Sequence, residues 1–171
     1  MTLATPTPNI AIREARGSDV NDLAPRLRSD DLEEIRALSG RPALAVLGEA
    51  FVESEKCFAV EYKGRVAALM GVVPSPHCQN PRLGVVWLLG SDDVAIFGYS
   101  MTKWARSWLR ELIQGYDVLG NIVSESNVTH VRFLRRIGAR IVAGHENVGS
   151  GKVTALQFVF SIEDLQEPPL V

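Results

Sequence analysis

Residues 83–139 constrain this chain more than any other stretch, because the period of their apolar residues switches back and forth. Residues 83–89, Leu-Gly-Val-Val-Trp-Leu-Leu, carry no charged side chain, as suits a strand covered on both faces. Gly90, Ser91, Asp92 and Asp93 then punctuate the run. From Val94 the apolar residues recur at threes and fours, through Phe97, Met101, Trp104, Trp108 and Leu112. That spacing predicts one apolar stripe on a helix of about five turns. Ser91 to Asp93 are its expected cap and first-turn carboxylates, and Gly115 its stop. Residues 116–123 return to a buried-strand pattern. Asn127 opens a further helix with Val131, Leu134 and Ile137 inward, and Gly138 closes it. Strand, crossover helix and next strand at such short range predict a βαβ unit.

The rest of the chain supplies further elements. Ala11 and Ile12 begin a short strand, and Ser18-Asp19 caps a helix that Pro25 bends or ends. Asp30 to Glu33 fits a capping box for a second helical piece, with Gly40 as its stop. Pro42 opens a third piece reaching about Glu53. Strands are expected over residues 56–62 and 65–73, hinged at Lys63-Gly64, followed by a loop over 74–82. A last strand pair, 140–145 and 153–160, surrounds the turn at 147–152.

With 171 residues, one domain with a full core is expected. A formal charge of −2 offers no basic field for a nucleic-acid backbone. The apolar runs fall far short of the roughly 20 residues a membrane span needs. Residues 1–9 have neither a basic region nor an apolar one, so no signal peptide is expected. Cys57 on a strand and Cys78 in a loop make no disulfide framework, which favours a reducing compartment. Residues 1–9, rich in Thr and Pro, form an expected extended arm, and residues 161–171 an acidic tail. Neither has a periodic apolar face, so each is expected to order only against another surface. They are the expected contacts with partner proteins or with a second copy of the chain.

The order strand, helices, hairpin, strand, long helix, strand, helix, strand pair resembles the GNAT acyltransferase superfamily over residues 10–160. Ile12-Arg13-Glu14-Ala15 followed by Ser18-Asp19 looks like its usual opening. Asn127, with Phe133-Leu134 and Gly138-Ala139 after it, is similar to its helix near the C-terminus. The resemblance implies an α/β domain with a mixed, mostly antiparallel central sheet of six to seven strands, flanked by helices on both faces. A narrower resemblance is to GNAT-like internal virion and morphogenesis proteins of tailed phages. It rests on Trp87-Leu-Leu-Gly90-Ser-Asp92, Leu119-Gly-Asn121-x-Val123 and Phe133-Leu134-x-x-x-Gly138. It implies phage structural proteins as partners, and a place in the host cytoplasm during assembly and in the virion if the product stays there.

An active member of the superfamily grips the diphosphate of acetyl-CoA with backbone N–H groups at a helix N-terminus. That register falls on residues 87–92, where only the first glycine, Gly90, survives, and Asp92 and Asp93 follow. At about 4–5 Å and an effective dielectric near 20, each carboxylate–phosphate pair repels by roughly 3–4 kcal/mol. The anion site is therefore expected to be filled by the protein itself. The position of the family's thiolate-protonating Tyr is Leu134, with Tyr99 and Tyr116 expected at the surface or rim. Glu61 and Glu125 are the acids available as a base, and the strand over 83–89 offers none. His77 beside Cys78 is poor geometry for a nucleophile–base pair, and His77, His130 and His145 are too scattered for a metal. Ser124-Glu-Ser-Asn127 is a polar cluster at a strand's C-terminal edge, where α/β sheets bind ligands, or else a helix cap. Arg132, Arg135 and Arg136 form a small basic patch, read as a solvated face or a protein contact.

Three readings follow. The first is a non-catalytic GNAT-fold assembly protein of a tailed phage particle, with no cofactor, no catalytic residue and no metal. The second is an acetyl-CoA-dependent N-acyltransferase with a divergent cofactor loop, using Leu88, Gly90 and Asn127 to hold the cofactor. The third is a small-ligand binder using the cleft between the two central strands.

Overall fold

The computed structural model describes residues 9–79 and 82–166. One seven-stranded sheet runs through the molecule in the order β1-β2-β3-β4-β5-β7-β6, and only the β4–β5 pair is parallel. The strands are β1 (Ile10–Glu14), β2 (Lys56–Tyr62), β3 (Arg65–Gln79), β4 (Arg82–Gly90), β5 (Val118–Ser124), β6 (Arg140–Val148) and β7 (Val153–Ser161). The β2–β3 hairpin turns at Lys63-Gly64, both at positive φ, the geometry whose twist matches that of the flanking strands.

Helices cover both faces because residues alternate across each strand. On one face Ala59, Leu69, Trp87 and Leu89 meet α1 (Gly17–Leu23), α2 (Ser29–Ser39) and α3 (Ala43–Glu53). On the other, Val60, Ala68, Met70, Val72 and Val86 meet α4 (Val94–Leu112) and α5 (Val128–Arg136). The apolar stripe of α4 is buried as its spacing requires, from Val94 to Leu112. Pro25 ends α1 in a 3-10 turn, Ala24–Arg26, and Gly40 stops α2 in the left-handed region. Pro42 caps α3 instead of starting it.

The β3–β4 connection corrects the expected loop over 74–82. The two strands continue as a hairpin arm, with Gln79 paired to Arg82 and a register shift after Pro74. Prolines at 74 and 76 look like strand breakers in sequence, but an irregular arm at the end of a ladder tolerates missing N–H groups.

The chain remains packed beyond residue 160. A short helix, α6 (Ile162–Gln166), docks on α4, with Leu165 1% exposed. Arg110 Nε donates to the Leu165 carbonyl (2.9 Å), Arg106 Nη2 to that of Asp164 (2.6 Å), and Arg140 pairs with the Asp164 carboxylate. One buried apolar residue, Leu165, beside a partly exposed Ile162 is too sparse a signal to reveal this docking in sequence. The expected arm, residues 1–9, lies outside the described residues except Asn9, whose carbonyl accepts from Lys63 N; residues 167–171 lie outside them as well.

Leu165→Ala is expected to lower stability by about 2–4 kcal/mol, as for other fully buried leucines. A urea-unfolding change below about 0.5 kcal/mol, the size of a surface substitution, would show that α6 is not docked.

Candidate functional site

The β4–β5 ladder has three rungs, Leu83–Val118, Gly84–Leu119 and Val85–Gly120, and then the strands part. Gly84 permits the close approach. A Cβ there would lie 2.6 Å from Val72 Cγ2 and 2.8 Å from Leu119 Cδ2. Beyond the last rung Asn121 spans the gap, its Nδ2 donating to the Val86 carbonyl (2.9 Å) and its Oδ1 accepting from Ile122 N. Above that bridge a cleft opens through the sheet.

Which backbone groups face the cleft follows from strand parity. Ser91 N donates to the Ala67 carbonyl, so Leu89 and Trp87 also point their polar groups at β3. Val86, Leu88 and Gly90 point theirs the other way. Val86 is taken by Asn121. At Gly90 the N–H donates to Asp31 Oδ2 (2.9 Å) and the carbonyl accepts from Arg28 N (2.9 Å). Between them Leu88 presents one open rung, with N–H and C=O toward the gap.

The cleft has a volume of about 230 Å³ and a mostly apolar lining. Ile35, Leu38 and Val46 form its walls on one face of the sheet, and Met70, Trp108 and Phe133 on the other. His130 and Glu34 supply its polar rim. A second depression of about 270 Å³, lined by Asp30, Glu33, Glu34, Ser124, Ser126 and Asn127, adjoins it through Glu34.

Helix α2 lies across the C-terminal ends of both parted strands and sends one carboxylate to each. Asp31, fully buried, takes the Gly90 N–H and pairs with Arg28 at 2.5 Å. Three residues on, and so on the same helix face, Glu34 accepts from Ser124 N (2.6 Å) and Asn127 Nδ2 (2.9 Å). Its Oε2 lies 3.5 Å from Nδ1 of His130, which is buried and has no aligned hydrogen bond. Burial is the largest influence on the Glu34 carboxyl and favours its neutral form. The contacts from His130, Ser124 N and Asn127 together outweigh it and hold the pKa below its ordinary 4.5. At its other end α2 is clasped by the β6–β7 turn, where Gly151 N donates to the Ala37 carbonyl and Ser150 Oγ to that of Arg36.

The expected site residues fall out unevenly. Leu88 faces the cleft. The polar groups of Gly90 are consumed by Asp31 and Arg28, and Asn127 is consumed by Glu34 and by capping α5 through His130 N. The acid on the Gly90 N–H is thus Asp31, not the expected Asp92 or Asp93. Asp92 is exposed, and Asp93, the N-cap residue of α4, makes no capping bond and leans toward Arg26 at 3.9 Å. The N–H groups of Val94, Ala95 and Ile96 are used by the carbonyls of residues 91 to 93. The sequence reading missed Asp31 and Glu34 because their partners lie 59 and 90 residues away.

Tyr116 is buried, not at the rim. Its hydroxyl donates to Glu55 (2.6 Å) under the Arg82 guanidinium, at the far end of β5 from the cleft. Burial, then the Glu55 carboxylate, pushes its pKa up to about 12. Glu61 is tied to Arg13 and Glu125 is exposed, so neither enters the cleft. Burial raises the Cys57 thiol to about 12, which leaves it inert. The side chains of His77, Cys78 and Tyr99 lie outside the described residues. No three potential metal ligands gather among the described residues, and no described helix is long and apolar enough to cross a membrane.

No protein-family model and no curated protein matches the sequence. The architecture, however, matches many solved structures. RimL, a ribosomal alpha-N-protein acetyltransferase in complex with coenzyme A, superposes with a TM-score of 0.71 at 9% identity, over 96% of this chain and 99% of that one. The fold is the GNAT fold. A GNAT-family acetyltransferase from Bacillus anthracis gives 0.68 at 12% identity (95% and 99% covered), and Ard1 from Thermoplasma volcanium gives 0.67 at 18% (90% and 98%). At these identities the likeness is one of GNAT architecture, and the site must be argued from this chain's own residues.

Asp31→Ala leaves Arg28 and the Gly90 N–H buried without a partner, and is expected to cost about 3–5 kcal/mol in chemical unfolding. A loss under 1 kcal/mol would show that the Asp31 contacts do not form. Because the folded protein favours ionised Glu34, its stabilisation is complete above pH 4.5 and is lost as pH falls through the lower native pKa. Glu34→Gln should therefore flatten the fall in stability below pH 4.5, measured as melting temperature against pH; an unchanged acid limb would contradict the assignment.

Proposed function

We propose that this chain transfers an acyl group from a thioester to a primary amine, with the thioester lying in the β4–β5 cleft. The observation that carries this reading is the open rung at Leu88 beside the Glu34–His130 pair. An amide-bearing thioester arm can pair with Leu88 as an added strand would. If the Leu88 C=O takes an amide N–H of the arm, its N–H is left for the thioester carbonyl oxygen, which gains charge during attack. Glu34 and His130 stand at the rim where an approaching amine must shed its proton; with Nδ1 turned to the Glu34 carboxylate (3.5 Å), Nε2 is the ring nitrogen of His130 left to accept it. In the step, the N–C bond forms, the C–S bond breaks, His130 takes the proton from nitrogen and the thiolate leaves. A thiol pKa near 8.5 lets that thiolate depart without a dedicated acid and take a proton from water, which answers the leucine at position 134. Structural neighbours solved with coenzyme A support the same class of chemistry.

The residues present fit only part of coenzyme A. The cleft suits an acyl group and its amide arm, whereas at the loop the Gly90 N–H is taken by the buried Asp31 carboxylate, and the N–H groups of Asp92 and Asp93 stand beside those residues' own carboxylates. That occupied loop also favours a second reading, a non-catalytic contact module. Its connection to tailed phage particles rests on the sequence resemblance alone.

The test is amine-dependent thiol release from acyl thioesters of two to eight carbons, across a panel of primary amines. Release above background hydrolysis is expected, and His130→Ala should lower kcat by about 10²–10⁴. Complete failure over the panel would favour the contact module.

A further inference from the structure

The cleft and the loop beside it disagree about the donor, and the disagreement carries information. Resting on the acyltransferase reading, we infer that the donor is a medium-chain acyl thioester gripped by its acyl chain and amide arm, to which a nucleotide diphosphate adds nothing.

The acyl part of the argument is volume and polarity. An apolar cavity of about 150 Å³ already holds a six-carbon ring, so one of 230 Å³ takes roughly eight carbons where the amide arm stays at the mouth against Leu88, far more than an acetyl group. That volume runs through the sheet, between Leu38, Val46 and Ala50 on one face and Trp108 and Phe133 on the other. A chain threading the gap would be enclosed by side chains and not by water.

The diphosphate part is hydrogen-bond accounting at the mouth. The N–H groups of Gly90, Ser91, Val94, Ala95 and Ile96 have acceptors within the chain, and the two that remain at this mouth, of Asp92 and Asp93, stand beside their own carboxylates, which repel a phosphate. Asp31 cannot be turned aside, since it is fully buried, paired with Arg28, and carried on a helix clasped by the β6–β7 turn. Glu34, Asp30 and Glu33 line the adjoining depression, and Asp92 and Asp93 follow Gly90. Charge at this mouth favours an uncharged arm over an anionic one. The pantetheine portion of a thioester is such an arm.

Calorimetry on the full chain with octanoyl-pantetheine, octanoyl-CoA and acetyl-CoA tests the inference. Octanoyl-pantetheine is expected to bind within tenfold of octanoyl-CoA, and both at least tenfold tighter than acetyl-CoA. A tenfold or greater advantage of octanoyl-CoA over octanoyl-pantetheine overturns the inference, as does acetyl-CoA binding within tenfold of the octanoyl esters. Ala50→Leu, which narrows the cleft, should shift the preference toward shorter chains; an unchanged preference also overturns it. Binding in the expected order without amine-dependent thiol release upholds this donor selectivity and refutes transfer. Absence of binding by all three donors refutes both.

Discussion

The break in the β4–β5 ladder after Val85 governs the rest of this structure. Parallel strands that part leave backbone groups with no partner inside the sheet, and buried N–H and C=O groups must be satisfied somewhere. Here they are met one by one: Val86 by the Asn121 side chain, Gly90 by Asp31 and Arg28, Ser124 by Glu34. Leu88 alone on that edge of β4 is left facing the gap. A site one rung long is what remains after this accounting.

Helix α2 does most of that work, and its energetics explain why it stays in place. Asp31 and Glu34 are taken out of water, which is costly unless each is paired and hydrogen-bonded. Asp31 gains a guanidinium and a backbone donor, and Glu34 a backbone donor, a carboxamide and a nearby imidazole. Lifting α2 would strand these groups along with their partners, so the helix, the loop at Gly90 and the end of β5 behave as one unit. The same contacts that complete the fold also set which parts of a ligand the cleft accepts.

Much of the fold was legible in the chain. The stripe of α4, the Lys63-Gly64 turn, the stop at Gly40 and the cap at Asn127 are local features, and the structure has each of them. Where local signals misled, a distant partner was responsible. Tyr116 read as a rim residue until Glu55 and Arg82 enclosed it, and residues 161–166 read as tail until α4 received Leu165.

The site divides along the same line. Sequence by itself determined the order of elements, the survival of a single glycine at the loop and the presence of acids beside it, because these depend on residue type and short spacing. It could not say which acid fills the loop. That choice was made by α2 crossing the sheet, which places Asp31 on Gly90 and Glu34 on Ser124 across separations of 59 and 90 residues. Hydrogen bonds over such distances in sequence leave no periodicity to read. They exist only once packing has brought the helix over the strand ends.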